Sequence, residues 1–252
     1  MKFLFGKKKR LPSIPSGCRV YAVGDIHGRR DLLDALLEEI SEDLKGFGGH
    51  SEIVFLGDYI DRGPDSAGVL DRLIEGPEPA DSWIYLKGNH DHFASFLLNT
   101  DEFRRNHVRG WIENGGDKAM LSWGVAPEVL ETGRSEEIVD AFRDAIPRNH
   151  AKFLRKLKLD YRVGDYLFVH AGIRPGVPLE EQDERDLMWI RSEFLNHRKA
   201  FGVHVVHGHT ISRDVDEQKN RTGIDTGAYH SGRLTALVLE GAERRYLATT
   251  RD

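Results

Sequence analysis

Asp58, Asp61 and Arg62 follow directly on four apolar residues, Ile53–Leu56, in the stretch IVFLGDYIDRG. Acidic groups and a guanidinium at the end of a buried strand are costly unless they bind something. Carboxylates suit a divalent metal and an arginine fork suits an anion such as phosphate. The pattern therefore points to a metal beside a phosphate. Further groups of the same kind recur along the chain: Asp25 and His27 in GDIHG, Asn89 and His90 in KGNHD, His170 in HAGIRPG and His209 in HGHT. Mixed oxygen and imidazole donors without thiolates suit manganese, iron or zinc better than calcium. Asp58 is central enough to bridge two ions, and two ions about 3.5–4 Å apart would activate a shared water for in-line attack on a phosphoryl group. Arg62 would neutralise charge on that group. His90 could protonate the leaving oxygen, its ring held by a nearby carboxylate.

The elements that must position these groups are legible in the patterning. Arg19–Val23 is a short β-rich run that ends at GDIHG. Asp31–Leu44 carries apolar residues at helical spacing. Ile53–Leu56 is the second strand, Pro64–Ser66 initiates a helix through Glu75, and Trp83–Leu86 is a third strand ending in KGNHD. Strand, polar loop and helix alternate three times, which predicts an α/β sheet with crossover helices. In such sheets the loops at the carboxyl ends of the strands converge in one crevice. From His92 to about Lys158 the signals are helical, with few chemical groups, and the segment reads as a cap or outer wall. Tyr161–Val163 and Tyr166–Val169 form a hairpin on a Gly-Asp turn, the second strand delivering His170. Asp186–Leu195 reads as one helix, Phe201–Val206 as a strand delivering HGHT, and Arg221–Asp225, Leu234–Leu239 and Arg244–Ala248 as closing strands.

Composition narrows the class. The chain has 252 residues and suits one catalytic domain, residues 16–252, behind a basic tail, residues 1–15. A formal net charge of −5 argues against a nucleic-acid binder. The single cysteine, Cys18, excludes an internal disulfide and a thiolate-rich zinc site, and fits a cytoplasmic protein. No apolar run is long enough to span a bilayer. Phe3, Leu4 and Phe5 ahead of Lys7–Arg10 could touch an anionic membrane surface, but a solvated tail is the simpler reading.

GDIHG, GDYIDRG, GNHD, the later His170 and GHT at 208–210 come in the order of the metallophosphoesterase superfamily, and the chain resembles most its branch of serine/threonine protein phosphatases in a compact bacterial form. The resemblance implies a β-sandwich flanked by helices, in four layers α/β/β/α. It implies that Asp25 and His27 bind a first metal, that Asp58 bridges, and that Asn89, His170 and His209 bind a second. It assigns His90 as general acid, Asp61 as the carboxylate orienting it, and Arg62 and Arg191 as phosphate-gripping arginines. The ions would be manganese, or iron and zinc, and a phosphate monoester would be hydrolysed by a metal-bound hydroxide without a phospho-enzyme. Two departures stand out. Asp91 replaces the usual glutamate after GNH, with an expected effect on loop support, and Lys87 stands where many members have arginine.

Taken singly, each residue has a plainer reading. Asp58 with Gly57 could only make a turn. Of the twelve histidines, eight are left to surface or core roles, among them His92, His204, His207 and His230. Tyr229 is a core or edge residue or a pocket wall, and Asn114–Gly116 a turn. The expected substrate is a phosphoserine or phosphothreonine protein, with phosphotyrosine or small phosphoesters also accepted. The main rival is symmetrical hydrolysis of diadenosine tetraphosphate, and the non-enzyme alternative is a phosphate-binding scaffold.

Overall fold

The computed structural model describes residues 11–99 and 104–249, with the side chains of 104–106 excepted. Most of the expected tail lies outside the described residues. Within them, Ser13 and Ile14 are tied down: Ser13 N–H donates to Asp165 Oδ2 at 3.0 Å and Ile14 N–H to the Gly241 carbonyl at 2.9 Å.

Ten strands form two sheets of five. β1 (Cys18–Val23), β2 (His50–Phe55) and β3 (Ser82–Tyr85) run parallel, and β9 (Thr235–Glu240) and β10 (Glu243–Ala248) extend that sheet antiparallel, in the order β10-β9-β1-β2-β3. The second sheet is β4-β5-β6-β8-β7, built from β4 (Asp160–Val163), β5 (Tyr166–Val169), β6 (His204–His207), β7 (Asp216–Glu217) and β8 (Arg221–Gly223). In it β5, β6 and β8 are parallel neighbours.

Strand alternation sorts the side chains into layers. Val20, Ala22, Val54 and Leu56 meet Tyr166, Phe168 and Val206 in a core between the sheets. Tyr21, Val23, Ile53 and Phe55 point the other way, onto helices α1 (Arg30–Leu44) and α2 (Ser66–Glu75). Leu32, Leu33, Leu36, Leu37 and Ile40 make the buried stripe of α1, and Asp65 caps α2 by accepting from Gly68 N–H at 2.8 Å. The outer face of the second sheet packs Leu167, Val169 and Val205 on Leu187, Ile190 and Phe194. The layering is α/β/β/α, as the resemblance implied.

The segment expected as a cap forms α3 (Asn89–Asn99), α4 (Arg104–Trp111), a π-helical turn (Ile112–Gly116), α5 (Asp117–Ser122), α6 (Pro127–Thr132), α7 (Ser135–Ala145) and α8 (Arg148–Arg155). It joins the core of the first sheet through Trp111, Met120, Val139 and Phe142. Three elements differ from expectation: β6 starts at His204 and not at Phe201, β7 is not among the expected strands, and the helix expected over Asp186–Leu195 is broken. Asp186–Leu195 is two helices, α9 (Glu184–Trp189) and α10 (Ser192–Leu195), because Arg191 leaves the helical region at φ −131°, ψ −94°. A last short helix, α11 (Ala228–Ser231), precedes β9.

Candidate active site

The polar loops lie where the parallel strands end. Asp25 and His27 follow β1, Asp58 follows β2, Asn89 and His90 open α3 after β3, His170 follows β5 and His209 follows β6. Backbone bonds lash the loops together: Ile26 and His27 N–H both donate to the Asp58 carbonyl, at 3.1 and 2.9 Å, and Gly208 N–H donates to the His170 carbonyl at 2.8 Å. Among the described residues, positive φ occurs off glycine at His27, Asp58, Asp61, Arg62 and His209 alone. Left-handed backbone at non-glycine residues is costly and persists where the surroundings impose it; here all five belong to the predicted site. Two glycines are needed for close approach: a Cβ at Gly88 would lie 2.0 Å from Asp58 Oδ1, and one at Gly208 2.0 Å from Asp25 Oδ1.

The carboxylate of Asp58 is shared by two clusters, His27–Asp58–His90 and Asp58–His170–His209. Its Oδ2 lies 3.6 Å from His27 Nε2 and 3.4 Å from His170 Nε2. His170 Nε2 also faces Asn89 Oδ1 at 3.0 Å and His209 Nδ1 at 3.2 Å. Asp25 accepts His209 N–H at 3.1 and 3.2 Å, and its charge bears on both His170 and Asp58.

The donor set fits divalent cations. His27 Nδ1–H donates to the Ile60 carbonyl at 2.8 Å and His170 Nδ1–H to the Leu56 carbonyl at 2.9 Å. Each ring therefore turns its Nε2 inward, as second-sphere carbonyls orient metal-ligating imidazoles. At His209, Nε2 is buried with no hydrogen-bond partner among the described residues, so a proton there would lack an acceptor and a lone pair there would lack a donor. The surrounding charge asks for a cation as well. Burial works against protonating His170, yet Asp58 and Asp25 raise it to about 10. Asp58 is held well below the ordinary carboxylate range although burial opposes this, through His170 and His90. Burial, with His90 and Arg62 nearby, lowers His27 to about 3 and so keeps it a neutral ligand. In this structure Arg62 supplies positive charge to the first cluster, donating from Nη1 to His27 Nε2 at 3.1 Å and from Nη2 to His90 Nε2 at 2.9 Å. A metal on His27 would compete with Arg62 for the same lone pair.

His90 and Asp61 form a buried pair, Nδ1–H to Oδ2 at 2.6 Å. Burial opposes charging the ring, but Asp58 and Asp61 outweigh it and raise the pKa of His90. That favours an imidazolium able to give up its Nε2 proton, a form in which the Arg62 contact opens.

Asp91 holds the loops from below: its carboxylate accepts the N–H groups of Asp58, Tyr59 and Gly88 at 2.7, 3.0 and 2.9 Å. This is the loop support expected of it. Lys87 links the sheets through its backbone, donating to the Lys158 carbonyl at 2.7 Å. Arg191 is exposed, with Nη1 3.4 Å from Thr210 Oγ1 in the GHT loop. Tyr229 belongs to the site, its ring centre 4.9 Å from the Arg62 guanidinium and 5.5 Å from the His27 ring. His207 does not: it turns to Gly208 and Arg221. His204 bonds Thr222 at 2.8 Å and His230 the Gly227 carbonyl at 2.6 Å.

Three residues escaped the sequence reading. Trp111 donates from its indole N–H to Asp61, the Gly115 carbonyl accepts Arg62 N–H, and Asp225 is a buried carboxylate whose charge bears on Asp25. The segment read as a wall thus touches the chemistry. WxxNGG signals a special backbone, but nothing in the pattern says which loop it meets. His92, Phe93 and Phe96 of α3, His107 of α4, and Glu184, Arg185, Met188 and Trp189 of α9 line a groove of about 440 Å³. The rings of His92 and Trp189 meet edge to face with centres 5.1 Å apart.

Comparisons with known proteins agree with this geometry. The family model of the calcineurin-like phosphoesterases matches residues 18–228. The chain is 30% identical over 222 residues to "Serine/threonine-protein phosphatase 1" of Salmonella typhimurium, covering 86% of this chain and 89% of that protein. It is 32% identical over 165 residues to the symmetrical bis(5'-nucleosyl)-tetraphosphatase of an Acidovorax species, covering 64% of this chain and 47% of that one. A crystal structure described as a putative diadenosine tetraphosphatase superposes with a TM-score of 0.63 at 24% identity, covering 93% of this chain and 95% of its own, and so shares the fold. Sequence match, layering and paired donor clusters converge on one statement: the chain belongs to the calcineurin-like phosphoesterase family and is a metallophosphoesterase, a hydrolase of that superfamily, related to the bacterial serine/threonine protein phosphatases.

Proposed function

We propose that the protein hydrolyses phosphate monoesters with two divalent ions, manganese first among them, and that its substrates are phosphoserine and phosphothreonine proteins. The observation that carries the reading is the position of Asp58, whose carboxylate belongs to both donor clusters. Asp25, His27 and Asp58 would hold one ion; Asp58, Asn89, His170 and His209 the other. When bound, the ions supply a water activated at neutral pH and a counter-charge for the phosphoryl oxygens.

The protein's own groups do the rest. Arg62 and Arg191 grip the phosphoryl oxygens, with the Tyr229 ring backing the Arg62 guanidinium. His90, held by Asp61, gives its Nε2 proton to the leaving oxygen. Its accepting carboxylate is fully buried and takes the Nδ1 proton at 2.6 Å. The groove lies between α3, the helix that carries His90, and α9, which ends just before Arg191. An apolar side chain flanking the phosphorylated residue fits there. End-to-end similarity to a protein phosphatase supports the same substrate class.

One observation favours the rival. The groove is largely aromatic, a surface on which an adenine could stack, and the superposed fold relative carries a diadenosine tetraphosphatase description. Hydrolysis of a phosphoserine peptide and of diadenosine tetraphosphate by manganese-loaded protein separates the two. A preference for the peptide of about ten-fold or more in kcat/KM, or about 1.4 kcal/mol, is expected; the reverse preference makes the groove an adenosine site. Turnover of neither substrate with metal bound leaves a phosphate-binding scaffold. The described residues contain no helix long and apolar enough to cross a membrane, and a cytoplasmic location is proposed with the substrate class.

A further inference from the structure

Trp111 ends α4, in the segment that the sequence assigns to a wall, and its side chain is fully buried. Its indole Nε1–H donates to Asp61 Oδ2 at 2.6 Å. The same oxygen accepts His90 Nδ1–H, also at 2.6 Å, while Asp61 Oδ1 has no hydrogen-bond partner among the described residues. One carboxylate oxygen therefore takes both donors. A carboxylate rotates readily about its terminal torsion, and with His90 as sole partner its plane would be free to swing about the shared oxygen. The indole removes that freedom.

The indole is itself immobilised. Its ring meets Phe142 edge to face with centres 5.1 Å apart, and a Cβ at Gly116 would lie 2.6 Å from it. The chain then enters the π-helical turn, in which Gly115 at φ +99° offers its carbonyl to Arg62 N–H at 3.0 Å. A Cβ at Gly115 would come within 2.8 Å of Arg62 Cγ. Residues 111–116 thus grip Asp61 and Arg62 together, the two neighbours with left-handed backbone at φ +74° and +65°.

We infer that Trp111 is a positioning residue for proton transfer: its N–H fixes the torsion of the Asp61 carboxylate that holds His90 Nδ1 and thereby aims His90 Nε2 at the leaving group. This rests on the reading of His90 as the proton donor. In the step concerned, a bond forms between phosphorus and the incoming water oxygen. The bond to the leaving oxygen breaks, and that oxygen keeps the electron pair and takes the Nε2 proton of His90. A poorly acidic leaving group needs the proton; 4-nitrophenolate leaves without it.

The test compares kcat on phenyl phosphate and on 4-nitrophenyl phosphate for the manganese-loaded wild type, Trp111→Phe and His90→Asn. Trp111→Phe keeps an aromatic ring and removes only the donor-bearing part. It should lower kcat on phenyl phosphate about ten-fold more than on 4-nitrophenyl phosphate, with KM within about two-fold, as a partial loss of general-acid catalysis does. His90→Asn should show the same selectivity more strongly. Equal losses on both substrates for Trp111→Phe, with His90→Asn selective, would overturn the positioning role and leave the acid standing. Absence of selectivity in His90→Asn would instead remove the acid on which the inference rests. A measurement independent of Trp111 variants is the proton spectrum of the four indole N–H groups. One should lie downfield in the wild type and move upfield in Asp61→Ala; four unchanged resonances would contradict the hydrogen bond.

Discussion

His170 Nε2 and His209 Nδ1 face each other at 3.2 Å from the ends of two parallel strands, β5 and β6. Two imidazole nitrogens at that distance share a proton or a cation, and the inward position of His170 Nε2 is imposed by the bond of its Nδ1–H to the Leu56 carbonyl. Manganese at about a hundred times its Kd should therefore raise unfolding stability by about 2.7 kcal/mol for each ion bound. His170→Ala should cost the ion that it shares with His209, and Asp58→Asn both ions. Metal content by elemental analysis and denaturation with and without manganese check this; two ions retained by Asp58→Asn would remove it as the bridge.

The pair His90–Asp61 predicts a defect in kcat. His90→Asn keeps size and loses the transferable proton, so kcat on a phosphoserine peptide should fall by about 10²–10⁴-fold. KM and metal content should change little, because the ring nitrogen that faces the substrate is not assigned to either ion. Steady-state kinetics with elemental analysis on one preparation decides between an acid and a ligand.

Arg191 is placed by the break between α9 and α10 and is anchored only lightly, at 3.4 Å from Thr210. Its charge is free to meet a phosphoryl oxygen. Arg191→Ala should reduce kcat/KM by about ten-fold or more, the worth of one charge-assisted hydrogen bond. Thr210→Val should have a far smaller effect, and equal losses in the two variants would make the arginine a structural prop.

Close packing at Gly88 makes a separate, steric prediction. The added methyl of Gly88→Ala would stand 2.0 Å from Asp58 Oδ1 and 2.4 Å from Asp58 N, both deep in the fold. Destabilisation of about 1–3 kcal/mol is expected, together with loss of bound metal. Urea denaturation of the metal-free and loaded forms separates the two effects.

Away from the site, Asp43 binds Tyr21 and Arg245, both at 2.5 Å, and Arg19 at 3.3 Å. Burial pushes its carboxyl up, but Arg245 and Tyr21 outweigh this and hold it below the usual range. A depressed folded-state pKa contributes stability that is present above the unfolded value, about 3.9, and lost as pH falls through the folded one. Asp43→Asn should cost about 1 kcal/mol near neutrality and give a flatter loss of stability on acidification. Denaturation midpoints followed from neutral to acid pH test it.

Much of the site is legible along the chain because its residues are local to strand ends. GDIHG, GDYIDRG, GNHD and GHT each place a ligand type two or three residues past a hydrophobic run, and charge at the end of a buried strand is costly unless it binds something. The alternation in β1 and β2 likewise separates Tyr21 and Val23 from Val20 and Ala22, which is enough to foresee two faces and two packed layers.

The rest depends on contacts between distant segments. Trp111 and Asp61 are fifty positions apart and meet through the packing of α4 on the first sheet. Neither residue carries a pattern that names the other. The break at Arg191 is similar, for DLMWIRSEFL has uninterrupted helical spacing and Ile190 must leave the helix to reach the core beneath β5 and β6. Which imidazole nitrogen faces inward was settled only by the carbonyls of Leu56 and Ile60, brought close by strand register. Residue types and their spacing along the chain determine which groups are available and at which strand ends they emerge. Their orientation and pairing belong to the tertiary structure, because a hydrogen bond's direction depends on a partner whose place the chain reaches only after folding.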